Sequence, residues 1–112
     1  MTEGFVWFHN DGANAERSQA FYAELLGWAA IEGPEGMTCL GGPAGPFAEL
    51  RDAETESRGW VPYAQVEDVD AATRKAIELG ARVISDKTLG PAGEFTILQD
   101  PGGANVALWQ KA

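Results

Sequence analysis

The sequence contains an internal repeat with an offset of about 53 residues. The segment LGWAAI (residues 26–31) corresponds to LGARVI (residues 79–84), and each follows an amphipathic stretch that ends at Leu-Gly. Around each copy the same elements are expected in the same order, namely one strand, one helix and three strands. An internal repeat constrains the fold more than any single motif, because one such unit cannot bury its hydrophobic face alone. The chain is therefore predicted to fold as a pair of equivalent modules.

In the first copy, residues 4–9 are rich in aromatic and β-branched types and are predicted to form a strand. Apolar residues then recur at helical spacing from about Ala15 to Leu26, and Gly27 is expected to end the helix in the left-handed conformation. The polar stretch at residues 51–59 has no periodic pattern and is the best internal boundary. Before this boundary, three short strands are expected at residues 28–32, 37–40 and 46–50. The segments GPEG and GGPAG are expected to form the turns between these strands.

In the second copy, residues 60–66 alternate between two faces, as a strand does. Asp68 is expected to cap a helix that stops at Gly80. Each helix needs a sheet face to cover its apolar stripe, so the prediction is an α+β fold. The other sheet face, lined by Trp7, Tyr63 and Trp109, is then left without a helix. The remaining strands are expected at residues 81–84, 94–98 and 105–110.

Composition narrows the class of protein. The chain has 112 residues, a length that suits one domain, with modules expected at residues 1–57 and 58–112. A domain of this length buries enough surface to be stable without a disulfide. The formal net charge is −9, which disfavours nucleic acid as a partner because phosphates would be repelled. The N-terminal residues do not resemble a signal peptide, and no apolar run approaches the roughly 20 residues of a membrane span. We therefore expect a cytoplasmic protein that binds neither nucleic acid nor membrane.

The segments ERSQAFYAELLGW, DVDAATRKAIELGARVI and GEFTILQDPGGANVALWQ resemble the vicinal oxygen chelate superfamily, which contains glyoxalases, bleomycin-resistance proteins and extradiol dioxygenases. The resemblance extends over nearly the whole chain and agrees with the repeat. It implies two βαβββ modules whose sheets form an incomplete barrel around a cleft, the glyoxalase/bleomycin-resistance-like fold. It also implies a homodimer. One fold hosts many functions, so the activity has to be argued from individual residues.

The resemblance further implies four metal-ligand positions on the cleft face. When the chain is aligned through the Leu-Gly helix ends and the DPGG turn, these positions fall on Trp7, Glu49, Val61 and Ala107. A divalent metal needs three or four nitrogen or oxygen ligands, and only Glu49 supplies one. His9 shares the face of Trp7 and would add only a second ligand. No cofactor is therefore predicted, and a divalent metal is disfavoured.

Glu49 and His9 are the candidate catalytic residues. Glu49 is either a general base whose pKa is raised by burial or a solvated strand residue. His9 is the only histidine, and its ordinary pKa suits proton transfer near neutral pH; the alternative is an ordinary polar residue at a strand end. If the two side chains approach each other, the carboxylate would fix the imidazole tautomer. The pair could then move a proton next to a carbonyl group.

Aromatic and polar side chains on the expected cleft face are candidates for ligand binding, because aromatic rings stack on planar or cationic molecules. The alternative is that they pack in the core or in a dimer interface. The sequence thus predicts a protein that binds a small organic molecule in an aromatic cleft without the metal of the superfamily. The alternative is a lyase, isomerase or dioxygenase that uses His9 and Glu49 or a recruited divalent metal. The candidate ligand-binding residues are Trp7, Val61, Tyr63, Gln65, Asn105, Ala107 and Trp109.

Overall fold

The computed structural model describes residues 3–53 and 59–112 and shows the predicted order of elements twice. The α+β class and the two βαβββ modules are confirmed. The first copy consists of β1 (Trp7–Gly12), α1 (Ala15–Leu26), β2 (Ala29–Glu32), a short 3₁₀ turn (Pro34–Gly36), β3 (Thr38–Gly42) and β4 (Gly45–Asp52). The second copy consists of β5 (Gly59–Gln65), α2 (Val69–Glu78), β6 (Arg82–Gly90), β7 (Gly93–Gln99) and β8 (Asn105–Lys111). Neither of these two helices is long and apolar enough to cross a membrane.

The described residues form two compact units. The N-terminal unit lies within Trp7–Val61, and the C-terminal unit combines residues 3–6 with Pro62–Ala112. A backbone hydrogen bond of 2.9 Å from the Val6 N–H to the Tyr63 carbonyl attaches residues 3–6 to the C-terminal unit. The expected module boundary between residues 57 and 58 lies outside the described residues. The expectation that residues 1–112 form a single domain stays a prediction.

Each unit pairs the first strand of its module with the last strand, in parallel. The strand order of the N-terminal unit is β2-β3-β4-β1, with β1 parallel to β4 and the other neighbours antiparallel. The strand order of the C-terminal unit is β5-β8-β7-β6, with β5 parallel to β8 and the other neighbours antiparallel. The two copies of the repeat therefore share one topology.

Both helices begin and end at residues that the sequence indicates. The Asn14 side chain accepts a hydrogen bond of 3.1 Å from the Arg17 N–H, and Gly27 ends α1 with φ at 72°. The Asp68 side chain accepts from two backbone N–H groups in the first turn of α2. Gly80, with φ at 103°, follows the end of α2. These caps satisfy backbone groups that have no partner inside the helix, which is why local sequence marks the helix ends.

Strand boundaries differ most from the prediction at β1, β4 and β6. β6 extends from Arg82 to Gly90, beyond the predicted residues 81–84. The strand predicted at residues 4–9 lies at Trp7–Gly12, and β4 extends through Asp52. Residues 51 and 52 therefore belong to a strand and not to the expected boundary segment. The reason is the parallel ladder, which pairs residues 8–12 with residues 48–52 and gives hydrogen-bond partners to a polar stretch.

Helix α1 covers one face of the N-terminal sheet. A β-bulge turns Phe47 toward this face, because Leu40 is paired with Ala48 and Gly41 with Pro46, which leaves no residue opposite Phe47. We call the other face, opposite α1, the N-terminal distal face. The cluster under α1 consists of Ala15, Leu40, Ala48 and Leu50, with Phe8, Tyr22, Trp28 and Phe47 packed against it.

Helix α2 covers one face of the C-terminal sheet. The Gln110 side-chain carbonyl accepts a hydrogen bond of 2.9 Å from the Val69 N–H at the start of α2, so Gln110 points to the helix side of β8. Side chains alternate along a strand, and the odd-numbered residues of β8 therefore point to the opposite side. We call that side the C-terminal distal face.

Candidate functional site

Four charged or titratable side chains lie together on the N-terminal distal face. β1 contributes His9 and Asp11, and β4 contributes Glu49 and Arg51. In the parallel ladder His9 is paired with Glu49, and Asp11 is paired with Arg51. Residues two apart on a strand share a face, and paired residues of adjacent strands lie side by side. The structure therefore places the two candidate catalytic residues on adjacent strands at the same level of the sheet.

Asp11 and Arg51 form a two-point ion pair in this group. Arg51 Nε donates to Asp11 Oδ1 at 2.9 Å, and Arg51 Nη2 donates to Asp11 Oδ2 at 3.2 Å. Hydrogen bonds between two charged groups in this forked geometry are stronger than neutral ones. The Asp11 side chain is 7% exposed and the Arg51 side chain is 34% exposed. The guanidinium thus shields a buried carboxylate and keeps part of its own surface accessible.

His9 is fully buried next to this ion pair. Its Nε2 lies 2.9 Å from Asp11 Oδ2 and 3.0 Å from Arg51 Nη2, and the residue is 0% exposed. Burial lowers the pKa of the imidazole and the Arg51 charge lowers it further, whereas Asp11 raises it; the net shift is downward. The neutral imidazole is therefore favoured near pH 7. In this conformation His9 contacts Asp11 and Arg51 and is too buried to touch a ligand, so its role would be a positioning one.

Glu49 combines partial burial with a perturbed acidity. The residue is half-buried, and burial raises the pKa of its carboxyl; the Arg51 charge opposes this rise and the Asp11 charge adds to it. A carboxyl group with a raised pKa is a better general base than an ordinary one. Cys39 is paired with Glu49 on the adjacent strand β3, but its thiol is buried and burial raises its pKa, which makes the thiolate scarce.

Asp11 and Arg51 belong to the site, although the sequence patterns above do not identify them. The strand prediction stops before Asp11, and the boundary prediction includes Arg51. A signal was present in Glu49-Leu50-Arg51, in which an apolar residue lies between two charged ones, whereas His9-Asn10-Asp11 is polar throughout. Period-two alternation of this kind is typical of a strand with one polar face.

Five of the seven candidate ligand-binding residues lie on the C-terminal distal face. In the parallel ladder Tyr63 is paired with Ala107 and Gln65 with Trp109, and Asn105 lies two residues before Ala107 on the same face. Tyr63 is 6% exposed and Ala107 is 0% exposed, whereas Asn105 and Trp109 are half-buried and Gln65 is exposed. A ligand on this face can therefore reach Gln65, Asn105 and Trp109, with the other two residues beneath them.

The rings of Tyr63 and Phe95 meet above strand β8. Their centroids are 5.6 Å apart with the planes tilted by 56°, and their strands, β5 and β7, flank β8 on either side. Ala107, one of the positions at which the resemblance implies a metal ligand, lies on β8 between those strands. Its methyl group leaves room for the two rings.

The other two candidate ligand-binding residues, Trp7 and Val61, lie within the N-terminal unit. Trp7 is half-buried on β1 and shares the face of His9, and Val61 is only 3% exposed. Together with Ala107 they occupy three of the four implied metal-ligand positions, and none of the three offers a carboxylate, imidazole or thiolate. No group of three or more His, Cys, Asp or Glu side chains in residues 3–53 and 59–112 is arranged to hold a metal ion. The donor set therefore does not fit the metal of the superfamily.

A cavity of about 680 Å³ opens at the ends of β5 and β8 within the C-terminal unit. This volume is in the range of small-molecule sites, about 300–1,000 Å³. Gln65 belongs both to the cavity wall and to the C-terminal distal face, so the two are continuous at this residue. The lining residues are Glu3, Val6, Gln65, Val66, Glu67, Gln110 and Lys111.

Comparison with known sequences identifies a family and curated relatives. The profile of the family described as Glyoxalase-like domain matches residues 7–109. CFP32 of Mycobacterium tuberculosis, which carries the provisional name of a glyoxylase, is 30% identical over 115 residues, covering 93% of this chain and 44% of its own length. The anthracycline biosynthesis protein DnrV of Streptomyces peucetius is 32% identical over 114 residues, covering 94% of this chain and 40% of its own length. The chain thus spans less than half the length of the curated relatives that it matches.

Comparison with solved structures supports the fold. Methylmalonyl-CoA epimerase from Mycobacterium tuberculosis has a TM-score of 0.68 at 19% identity, with 99% of this chain and 89% of that chain covered. The protein described as NAD-dependent benzaldehyde dehydrogenase from Legionella pneumophila has a TM-score of 0.68 at 20% identity, with 95% of this chain and 98% of that chain covered. At such identities the likeness concerns the fold alone.

Proposed function

Because this chain belongs to the family of glyoxalase-like domains in the vicinal oxygen chelate superfamily, we propose that it binds a compact planar organic molecule without the metal ion of that superfamily. The observation that carries the proposal is the C-terminal distal face. There the half-buried Trp109 lies beside its ladder partner Gln65, with Asn105 on the same face. We also propose that the protein acts as a homodimer, as the resemblance implies, and sedimentation equilibrium measures this directly.

Each accessible residue of this face would make a different contact with such a ligand. The Trp109 indole offers an aromatic surface on which a flat ring system stacks. The carboxamides of Gln65 and Asn105 can each donate and accept hydrogen bonds, which suits carbonyl or hydroxyl groups at the edge of the ring system. Tyr63 and Ala107 are buried beneath these residues and support them by packing. The ligand class is therefore a planar molecule with polar groups on its rim.

One relative supports this ligand class without identifying the ligand. DnrV takes its name from anthracycline biosynthesis. Anthracyclines as a chemical class contain an anthraquinone ring system, which is planar and carries two carbonyl groups. An anthraquinone is therefore a suitable probe. Metal independence rests on the poor donor set at Trp7, Val61 and Ala107. Elemental analysis of protein purified without chelators tests it, and stoichiometric zinc, nickel, iron or manganese would contradict it.

Titration with 2-(hydroxymethyl)anthraquinone, an uncharged planar probe, tests ligand binding. We expect saturable quenching of tryptophan fluorescence and a matching isotherm by calorimetry. Trp109→Phe and Gln65→Ala should both weaken binding, since they alter the stacking surface and the rim contact. Trp28→Phe is the matched control, because Trp28 packs against the core under α1 and not on the distal face. Unchanged affinity in both distal-face variants, or the absence of saturable binding, would refute the proposal.

A second candidate function is proton transfer next to a carbonyl group, as in a lyase or isomerase of the superfamily. It is favoured by Glu49, whose half-buried carboxyl has a raised pKa and lies beside the ion pair of Asp11 and Arg51. In this alternative Glu49 takes the proton from carbon, and His9 positions Arg51. A dioxygenase reaction would need a recruited metal and is the less favoured form.

Hydrogen exchange into a carbonyl compound with an acidic C–H group tests this second function. The protein would be incubated in D₂O with methylmalonyl-CoA, and loss of the proton on carbon 2 would be followed by NMR. Glu49→Gln should abolish the exchange, whereas Glu78→Gln, at an exposed position of α2, should leave it intact. Exchange no faster than in buffer would exclude this reaction for the probe and favour the binding function.

A further inference from the structure

We propose that the cavity at the ends of β5 and β8 binds a cationic amine carried by the ligand. The ligand class is then a planar ring system with an ammonium-bearing substituent. This inference deepens the proposed function and rests on it, because the ring system would lie on the C-terminal distal face while the substituent enters the cavity.

The strand geometry connects the distal face with the cavity. β5 and β8 are parallel, with Gln65 paired to Trp109, so the carboxyl ends of both strands lie at the same edge of the sheet. One residue beyond the end of β5, the Val66 N–H donates to the Trp109 carbonyl at 2.8 Å and holds the two strands together there. Glu67, two residues beyond the end of β5, and Lys111, the last residue of β8, line the cavity. A substituent that points from Trp109 along the strands therefore passes Gln65 and enters the cavity.

The charges in the cavity favour a cation. Its wall carries two carboxylates, Glu3 and Glu67, and one ammonium group, Lys111. In the part of the chain that the structure describes, none of the three makes an ion pair with another side chain. One negative charge is thus in excess in the cavity, and the net charge of −9 for the chain acts in the same direction.

The cavity also has a fixed polar wall. The Gln110 side-chain carbonyl accepts a hydrogen bond from the Val69 N–H, which ties this residue of β8 to the first turn of α2. Gln65 contributes a second carboxamide at the opening toward the distal face. A primary ammonium group has three N–H donors, so it can bind a carboxylate and a carboxamide oxygen at the same time. An uncharged hydroxyl group would gain much less from the same wall.

The charge argument predicts effects of opposite sign at Glu67 and Lys111. Glu67→Gln removes attraction and should weaken binding of an amine by about threefold, the size expected for a solvent-exposed pair. Lys111→Gln removes repulsion and should strengthen binding of the same amine by a similar factor. Neither substitution should change binding of an uncharged analogue. A merely structural disturbance of the cavity would not produce opposite signs.

Calorimetry with two probes of matched shape tests the proposal. The probes are 2-(aminomethyl)anthraquinone, which is cationic near neutral pH, and its uncharged analogue 2-(hydroxymethyl)anthraquinone. Wild type, Glu67→Gln and Lys111→Gln are compared with Glu78→Gln, an exposed substitution in α2 that changes the net charge by the same amount as Glu67→Gln. We expect the amine to bind more tightly than the alcohol in wild type and in Glu78→Gln, and this preference to disappear in Glu67→Gln.

The possible results separate the inference from the proposed function. If both probes bind equally, or if Glu78→Gln has the same effect as Glu67→Gln, the cavity does not select a cation, and the binding function still stands. If neither probe binds, the inference and the proposed function are both overturned. If Lys111→Gln weakens the binding of the amine, the charge argument is wrong.

Discussion

Replacing Arg51 by Met removes the cation of a buried ion pair and allows its contribution to stability to be measured. The substitution deletes the hydrogen bonds of 2.9 and 3.2 Å from the guanidinium to Asp11. It leaves the Asp11 carboxylate, whose side chain is 7% exposed, without its cation. Methionine fills much of the space of the arginine side chain, so the loss of packing is small and the loss of charge dominates.

The structure determines the size of the expected effect. Removing one partner of a buried ion pair typically costs about 3–5 kcal/mol, because the other charge stays buried. Since the Arg51 side chain is 34% exposed, solvent screens the pair and water can reach part of the vacated space. We therefore expect Arg51→Met to lower the free energy of unfolding by about 2 kcal/mol, out of a total of about 5–15 kcal/mol for a domain.

Urea denaturation followed by circular dichroism at neutral pH measures this effect. Asp11→Asn in the Arg51→Met background should recover about 1 kcal/mol or more, since no buried charge is then left without a partner. Lys87→Met is the control, because Lys87 is likewise a cation in ion pairs, with Asp70 and Glu94, but at an exposed site. If Arg51→Met changes the midpoint no more than Lys87→Met does, or if the double variant is as unstable as the sum of the single ones, the ion pair does not stabilise the fold.

Three further predictions concern titration and backbone conformation. Burial lowers the pKa of His9 below its ordinary 6.5, so the folded state disfavours the protonated imidazole and loses stability as the pH falls from 6.5 toward the folded-state pKa. When urea midpoints are measured above and below pH 6.5, the midpoint should therefore fall less in His9→Gln than in wild type as the pH is lowered. Burial raises the pKa of Glu49 above its ordinary 4.5, so the folded state disfavours the ionised form, and Glu49→Gln should gain stability relative to wild type as the pH rises from acidic to neutral; a constant difference would contradict this. At Gly93, where φ is 143°, a Cβ would overlap the Gln110 carbonyl oxygen, so Gly93→Ala should cost about 1–3 kcal/mol more in thermal melts than Gly103→Ala, where φ is 96° and the space is open.

The helices of this protein are predictable because the signals that end them are local. Asn14 and Asp68 cap the first turns, and Gly27 takes the left-handed conformation that closes α1. Each of these residues acts within a few positions of its own place in the chain. The repeat also predicts that both copies have the same order of elements along the chain and the same strand topology.

The ends of β1 and β4 are not predictable from local sequence, because each depends on a distant partner. Asp11 and Arg51 are poor strand residues on their own, and they become part of the ladder through their contact with each other. The bulge that turns Phe47 toward α1 also depends on the partner strand, because the register shift on β3 determines which residue lacks a neighbour. Simple alternation would have placed Phe47 on the side of Glu49.

The candidate site was predictable in its position and not in its accessibility. Once the strand order is known, alternation places His9 beside Glu49, and it places Tyr63 on the same sheet face as Trp109. Whether a side chain on such a face reaches solvent depends on which residues pack over it. The alternation of polar and apolar residues along a strand does not give this information. His9 and Tyr63 are accordingly buried, whereas Glu49 and Trp109 remain half-buried.

The parallel contact between β1 and β4 has a consequence for biosynthesis. As the ribosome releases the chain from its amino end, β1 emerges about 40 residues before β4. Among the described strands of the N-terminal unit β1 is hydrogen-bonded to β4, so its ladder there has to wait until Asp52 has left the exit tunnel. Contacts between such distant segments close slowly, because much chain entropy is lost before they form. A nascent chain arrested just short of β4 should therefore be a better chaperone substrate than one arrested just beyond it.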